Sequence, residues 1–259
     1  MVNIDSLITA LVVGFIGLFI LWLGARKATS GVPGRFQAAV EILVEMVDTQ
    51  TKANIKNANS RKFIAPMALT VFVWIFMMNA MDMLPVDLLP AIWTKIYAAM
   101  GHDPHHAYLR VVPTADLSTT LGLAVSILLL SLYYSVKIKG AGGCGHELVS
   151  APFGSSKNPL FAVILGLINV TMQIIEYVAK AVSHGMRLFG NMYAGELVFL
   201  LIALMGGAAA MSLPGVLLPV GHVIAGSLWA IFHILVITLQ AFIFMMLALI
   251  YLGQAHEAH

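Results

Sequence analysis

Residues 173–196, QIIEYVAKAVSHGMRLFGNMYAGE, place Glu176, Lys180, Arg187 and Glu196 inside a long apolar run. An arginine at mid-bilayer costs about 3 kcal/mol on translocon scales, so such a group is a functional candidate by default. Gln173, Glu176, Lys180, Ser183, Arg187, Asn191 and Ala194 follow one another at steps of three or four. On a helix that spacing makes one stripe, polar except at its end. The chemistry open to it is proton handling. Carboxylates and histidines relay protons in water-filled clefts, and His233, further along the chain, can titrate near neutral pH. Arginine keeps its charge. A fixed cation between two relays blocks direct proton passage and lowers the pKa of any carboxylate brought beside it.

Arg187 has no carboxylate within helical reach, because positions 183, 184, 190, 191 and 194 are Ser, His, Gly, Asn and Ala. A desolvated guanidinium needs a partner. Asp82, Asp87 and Asp116, near the outer ends of other spans, are one source. A second chain is the other, and the spacing favours it.

The elements that carry these residues follow from composition. Of 259 residues, 60% are hydrophobic and 10% charged, against about 25% charged in soluble domains. The chain reads as an all-α polytopic membrane protein. A net charge of +2 is too small to suggest nucleic acid, and a single cysteine, Cys144, excludes an internal disulfide and a cysteine metal cage. The first apolar run has no basic residue before it, so it reads as a retained span rather than a signal peptide.

Spans are expected at residues 7–24, 63–83 and 117–136, with an amphipathic helix over 33–57 that is too polar to cross. The outer segment DMLPVDLLPAIWTKIYAAMGHDPHHAYLRVVPTAD reads as ordered loop or short helix, and KGAGGCGHELVSAPFGSSKNP as a glycine-rich link. Helical pattern then runs over 160–206 and 216–252, separated by Gly206, Gly207, Pro214, Gly215 and Pro219. One integral membrane unit results, divided at about 62 and 158. The segment 25–62 carries seven Lys and Arg, and 1–6 carries none. The N-terminus is therefore expected outside and the C-terminus in the cytoplasm.

The last two helices are too long to stand upright. A crossing takes about 20 residues, and at about 1.5 Å per residue these helices would measure roughly 70 and 55 Å. Either they break, or they form a steeply tilted antiparallel hairpin beside three upright spans. With a turn near 213, Arg187 falls beside Gln240, and Glu196 within a turn of His233. His222, Trp229, His233 and Gln240 share a face on the second helix.

MRLFGNMYAGE (186–196) together with AIFHILVITLQAFIFMMLALIYL (230–252) resembles subunit a of bacterial F-type ATP synthases; LPVDLLP (84–90) and LRVVPTADLSTTL (109–121) are similar to the same family. The resemblance covers most of 60–259; the first 60 residues match in general layout. It implies a stator in the bacterial plasma membrane beside a ring of c subunits, with peripheral-stalk b subunits and lipid as further neighbours. It implies that Arg187 faces the ring carboxylate with Gln240 beside it. Glu196, His233 and Asn191 belong to an outer half-channel, with Asp82, Asp87 and Asp116 toward its mouth. Glu176, Lys180, Ser183 and Gln173, taken from the stripe, fall to a cytoplasmic half-channel. Where the family has KPxS, this chain has KAVS. Neither a cofactor nor a catalytic site of the chain's own is implied.

Three other readings compete. A stand-alone transporter or channel would show inverted repeats or helices broken at the midplane, and no repeat is found. HDPHH (102–106) offers His102, Asp103, His105 and His106 to a metal, but without the HExxH pattern. A bis-histidine haem site would have to be drawn from His184, His222 and His233.

Overall fold

A computed structural model describes residues 3–29, 31–84, 88–101, 103, 111–154, 159–207 and 213–256. Among them every regular element is helical: α1 (Ile4–Arg26), α2 (Arg35–Asn54), α3 (Ala58–Ala80) and its 3-10 extension Met81–Met83, α4 (Leu88–Ala99), a 3-10 turn at Pro113–Ala115, α5 (Leu117–Ser150), α6 (Pro159–Gly207) and α7 (Leu213–His256). Five of these helices, α1, α3, α5, α6 and α7, are long and apolar enough to cross a membrane. The polytopic all-helical reading holds, and the polar helix over 35–54 forms where an amphipathic segment was expected. The segment between α3 and α5 supplies the short helix α4, not a span.

The core is built on α3 and α7. Ile64, Ala68, Phe72, Ile75 and Met78 of α3 recur at helical spacing and are buried. They join Ala241, Phe244, Met245, Ala248, Leu249 and Leu252 of α7 in one cluster. The α1 helix leans on α3 through small residues, the usual means of close helix approach in lipid. A Cβ on Gly14 would lie 2.8 Å from Trp74 Nε1, and that indole N–H donates to the Ala10 carbonyl at 2.7 Å. Val47 and Thr51 of α2, with Ile55 just after it, close the base of the core.

Both long helices are unbroken. With 49 and 44 residues, they measure about 73 and 66 Å at 1.5 Å per residue. Neither fits upright in a hydrocarbon core of about 30 Å. They run antiparallel: Lys180 meets Gln254, Asn191 meets Gln240, and Ile202 meets His222. The register agrees with a turn near 213 at Ile202 and His222 and drifts from it toward Lys180 and Gln254. Continuity rests on sequence. Pro159 begins α6 and no proline follows it there, and the Pro219 of α7, seven residues in, removes one i→i−4 bond near the helix start without ending the helix.

The segment after the third span differs from expectation. Helix α5 does not stop at 136; it continues past Lys139, turns at Gly140 and returns as a short helix over 141–150. Gly140 has φ +75°, a left-handed conformation that costs a side chain but not glycine. Glycine richness therefore signals one sharp turn here rather than an extended link. Asn169 of α6 fastens the return. Its amide donates to the Val149 carbonyl at 2.7 Å and the Gly154 carbonyl at 3.1 Å, and its Oδ1 accepts from the Phe153 N–H at 3.2 Å.

The approach of α5 to α6 depends on Gly185. A Cβ there would lie 2.9 Å from Leu121 Cδ2 and 3.2 Å from both Leu121 Cα and the Thr120 carbonyl oxygen. Backbone atoms cannot rotate away, so Gly185→Val is expected to destabilise the fold by about 1–3 kcal/mol through overpacking. A lowered thermal unfolding midpoint in detergent, with less chain retained in membranes, is the measurement that checks it.

Candidate functional site

Helix α6 has two unlike faces. Ala181, His184, Gly185, Leu188, Met192 and Gly195 are buried against the rest of the chain. On the other side Glu176, Ser183, Arg187, Asn191 and Ala194 are exposed, while Gln173 and Lys180 are half-covered. The stripe predicted from spacing is thus a real face, and among the described residues it stays largely uncovered. Among the described residues Arg187 makes no ion pair. The alternative that pairs it with an aspartate inside the chain fails for Asp82 and Asp116, both held elsewhere; Asp87 lies outside the described residues.

The face of α7 behaves differently. His222, Trp229, His233 and Gln240 all turn toward α6. A ring nitrogen of His222 lies 2.6 Å from the Ile202 carbonyl oxygen, and Trp229 and His233 pack edge-on to Phe199. The Asn191 amide donates to Gln240 Oε1 at 2.6 Å, one turn beyond Arg187. The two stripes therefore meet only in part. Asn191 and Lys180 reach α7 and Glu176 borders a cavity beside it, whereas Arg187 and Ser183 stay exposed, because the small residues Ala181, Gly185 and Gly195 set the opposite side of α6 against its neighbours.

At one end of the hairpin, His233 Nε2 lies 2.6 Å from Asp82 Oδ2, with both side chains almost wholly buried. The atoms approach without the alignment of a linear hydrogen bond, and neither has another partner. Asp82 comes from the 3-10 turn that ends α3, so two distant segments meet here. Gly195 makes room: a Cβ on it would sit 2.4 Å from His233 Cε1. Glu196, next along α6, is half-buried. Asp116 is buried and caps α5, its Oδ1 accepting from the Ser118 N–H at 3.0 Å and its Oδ2 from the Asn3 amide at 2.8 Å. Asn79, one turn before Asp82, and Thr114, two residues before Asp116, are fully buried with unpartnered side-chain polar atoms. Unsatisfied amides are rare in packed interiors, which marks this end of the molecule as polar and wettable.

At the other end lies a cavity of about 300 Å³ between α5, α6 and α7. Gln173, Glu176 and Lys180 line it; Ser183 does not. Lys180 Nζ binds Glu176 at 2.6 Å and donates to Gln254 Oε1 at 3.0 Å, which ties α6 to α7 at the rim. Across the cavity, Lys139 and Glu147 form a second ion pair. Arg187 stands between the two ends, about 14 Å from Glu196 and 17 Å from Glu176 along the helix axis.

Among the described residues no group of three or more His, Cys, Asp or Glu could hold a metal ion; of the HDPHH residues only Asp103 lies among them. The three membrane histidines have separate neighbours: Phe244 for His184, the Ile202 carbonyl for His222 and Asp82 for His233. The spacing argument missed Gly195, Asn169 and the Lys139–Glu147 pair. For that pair a signal existed, since an Lys and a Glu eight residues apart around a glycine run is what a folded-back turn requires.

Comparison with known proteins agrees with this architecture. The chain matches the family described as ATP synthase A chain over residues 7–253. ATP synthase subunit a of Paracidovorax citrulli is 84% identical over 258 residues, covering 100% of this chain and 88% of the relative. The subunit a of an Acidovorax strain is 76% identical with the same coverage. That of Psychrobacter cryohalolentis is 50% identical over 256 residues, covering 98% of this chain and 83% of the relative. The chain belongs to the ATP synthase A chain family.

Proposed function

We propose that this chain is the proton-conducting stator of a bacterial F-type ATP synthase and works against a rotating ring of c subunits. The observation that carries the reading is Arg187. It is a permanent cation on an uncovered membrane face, with no ion pair inside the chain among the described residues. It stands between two polar regions on different helices. A ring carboxylate passing that face supplies the missing partner. Near the guanidinium it ionises; away from it, it regains a proton.

In this reading the region of Asp82, His233, Glu196 and Asp116 is the outer half-channel, with Asp87 toward its mouth. Asn191 and Gln240 border the contact with the ring. The cavity at Gln173, Glu176 and Lys180 is the cytoplasmic half-channel, and exposed Ser183 continues it toward Arg187. Because Arg187 separates the two, a proton entering on one side leaves on the other only after riding the ring. The N-terminus lies outside and the C-terminus in the cytoplasm, as the loop charges require. Peripheral-stalk b subunits and lipid take up exposed apolar surface elsewhere, such as that of Phe15, Phe19 and Trp22 on α1.

Crosslinking tests the partner. In a Cys144→Ser background, Asn191→Cys is expected to form a disulfide with a cysteine placed one turn from the ring carboxylate. Asn191 is exposed one turn from Arg187, and disulfides form only when Cα atoms approach within about 7 Å. Crosslinks confined to this chain would refute the assignment of the face.

A further inference from the structure

The return helix 141–150 does more than join two spans. Its Glu147 lines the cavity at Glu176, a carboxylate that the stripe on α6 does not contain. Lys139 Nζ donates to both Oε1 and Oε2 of Glu147 at 2.7 Å. The lysine side chain is 11% exposed and the glutamate side chain 28%. The ammonium is thus the buried member, and the carboxylate reaches toward the opening. Ser131, Ser135 and Tyr177 continue the polar lining between this pair and Glu176.

The pair is not needed merely to hold the return helix. Three Asn169 hydrogen bonds already fasten its end to α6, and Ser135 Oγ meets Cys144 Sγ at 3.8 Å along its middle. Glu147 is therefore carried on a braced element, at a fixed place on the cavity wall. Fixed placement is what a proton-exchanging group needs and what a surface ion pair lacks.

We infer that Glu147, positioned by Lys139, is the cytoplasmic-end carboxylate of the proton path, exchanging protons between the cavity at Glu176 and the cytosol. This rests on the reading of that cavity as the cytoplasmic half-channel. In the exchange a cavity water hands on to a Glu147 oxygen the proton it has received from the ring carboxylate and is left neutral, and the new O–H bond then breaks as that proton passes to a cytosolic water. The carboxylate is regenerated, so the pair returns to its starting charge.

The test uses the whole synthase in inverted membranes. Replacing a buried pair with apolar residues of similar size commonly preserves folding. Lys139→Met with Glu147→Leu is therefore expected to leave assembly and thermal stability near normal. Passive proton conductance should fall by roughly tenfold, the effect of losing one charge-assisted contact, and Glu147→Asp should retain most of it. Normal conductance in the assembled apolar variant overturns the inference. Should that variant not assemble, Ser135→Cys in the Cys144→Ser background reads the same space. Block of conductance by silver ions supports the inference, and unchanged conductance overturns it. Glu176→Gln with Lys180→Met separates the two levels. If this variant loses conductance while the Glu147 variants do not, only the role of Glu147 fails; if it conducts normally, the half-channel reading itself fails.

Discussion

Arg187→Ala is expected to abolish ATP synthesis driven by a proton gradient. An opposite charge within about 4–6 Å lowers a carboxylate's pKa by about 1–3 units. Without the guanidinium, release of each ring proton should therefore slow by roughly 10- to 1,000-fold. The second loss is separation. With no fixed cation between Glu176 and Glu196, protons can pass between the two polar regions without turning the ring. Synthesis fails on both counts, while ATP hydrolysis in the soluble head has no chemical dependence on this side chain. Arg187→Lys is expected to restore little. An ammonium sheds its proton when desolvated, and it lacks the planar fork that holds a carboxylate in two places. Proton-driven synthesis and hydrolysis, measured on the same membranes, decide the matter; synthesis near normal in the alanine variant would refute the mechanism.

The second large effect comes from the smallest change. Gly195→Ala adds one methyl carbon, 2.4 Å from His233 Cε1. The imidazole has nowhere easy to go. It is 1% exposed, its plane is held between Phe199 at 5.3 Å and Trp229 at 6.0 Å, and its Nε2 already touches Asp82. Either the ring swings off Asp82, leaving a buried carboxylate unpaired, or α6 and α7 move apart and loosen the nearby Asn191–Gln240 bond. Leaving a buried hydrogen-bonding group without its partner costs about 1–3 kcal/mol. Proton-driven synthesis and passive conductance are both expected to fall by tenfold or more, on the order of the loss of a positioned proton-transfer group. His233→Ala alone should behave similarly. The combination Gly195→Ala with His233→Ala should be no worse than either single change, because the clash needs the ring. Additive losses in that double-variant cycle would mean that Gly195 acts through something other than His233.

Much of this molecule is legible along the chain. Five spans, the polar helix at 35–54 and the excess length of the last two helical segments follow from apolar run lengths, loop charges and the positions of proline and glycine; that the two run unbroken comes from the structure. These are local properties, and lipid enforces them because backbone polar groups must be satisfied within each segment. The stripe holding Arg187 is equally local, since helical period alone collects residues spaced by three and four. The RLFGN and LQAF stretches carried the family resemblance, which the match over residues 7–253 bears out.

What the chain order could not state is which way each face turns. Two helices in register present several faces to one another, and the choice is made by close-packing of small residues. Ala181, Gly185 and Gly195 draw one side of α6 inward, so Arg187 is left outside while Gln240 is buried. The meeting of Asp82 with His233 joins residues 151 positions apart, and no periodicity links them. The return at Gly140 was hidden for another reason. A glycine-rich stretch is permissive rather than directive. Asn169, acting from another turn of the fold, converts that permission into a helix that carries Glu147 to a cavity. Sequence determined the elements and the charge they carry; tertiary packing decided which charges meet, because side-chain fit across helices is not encoded in the order along any one of them.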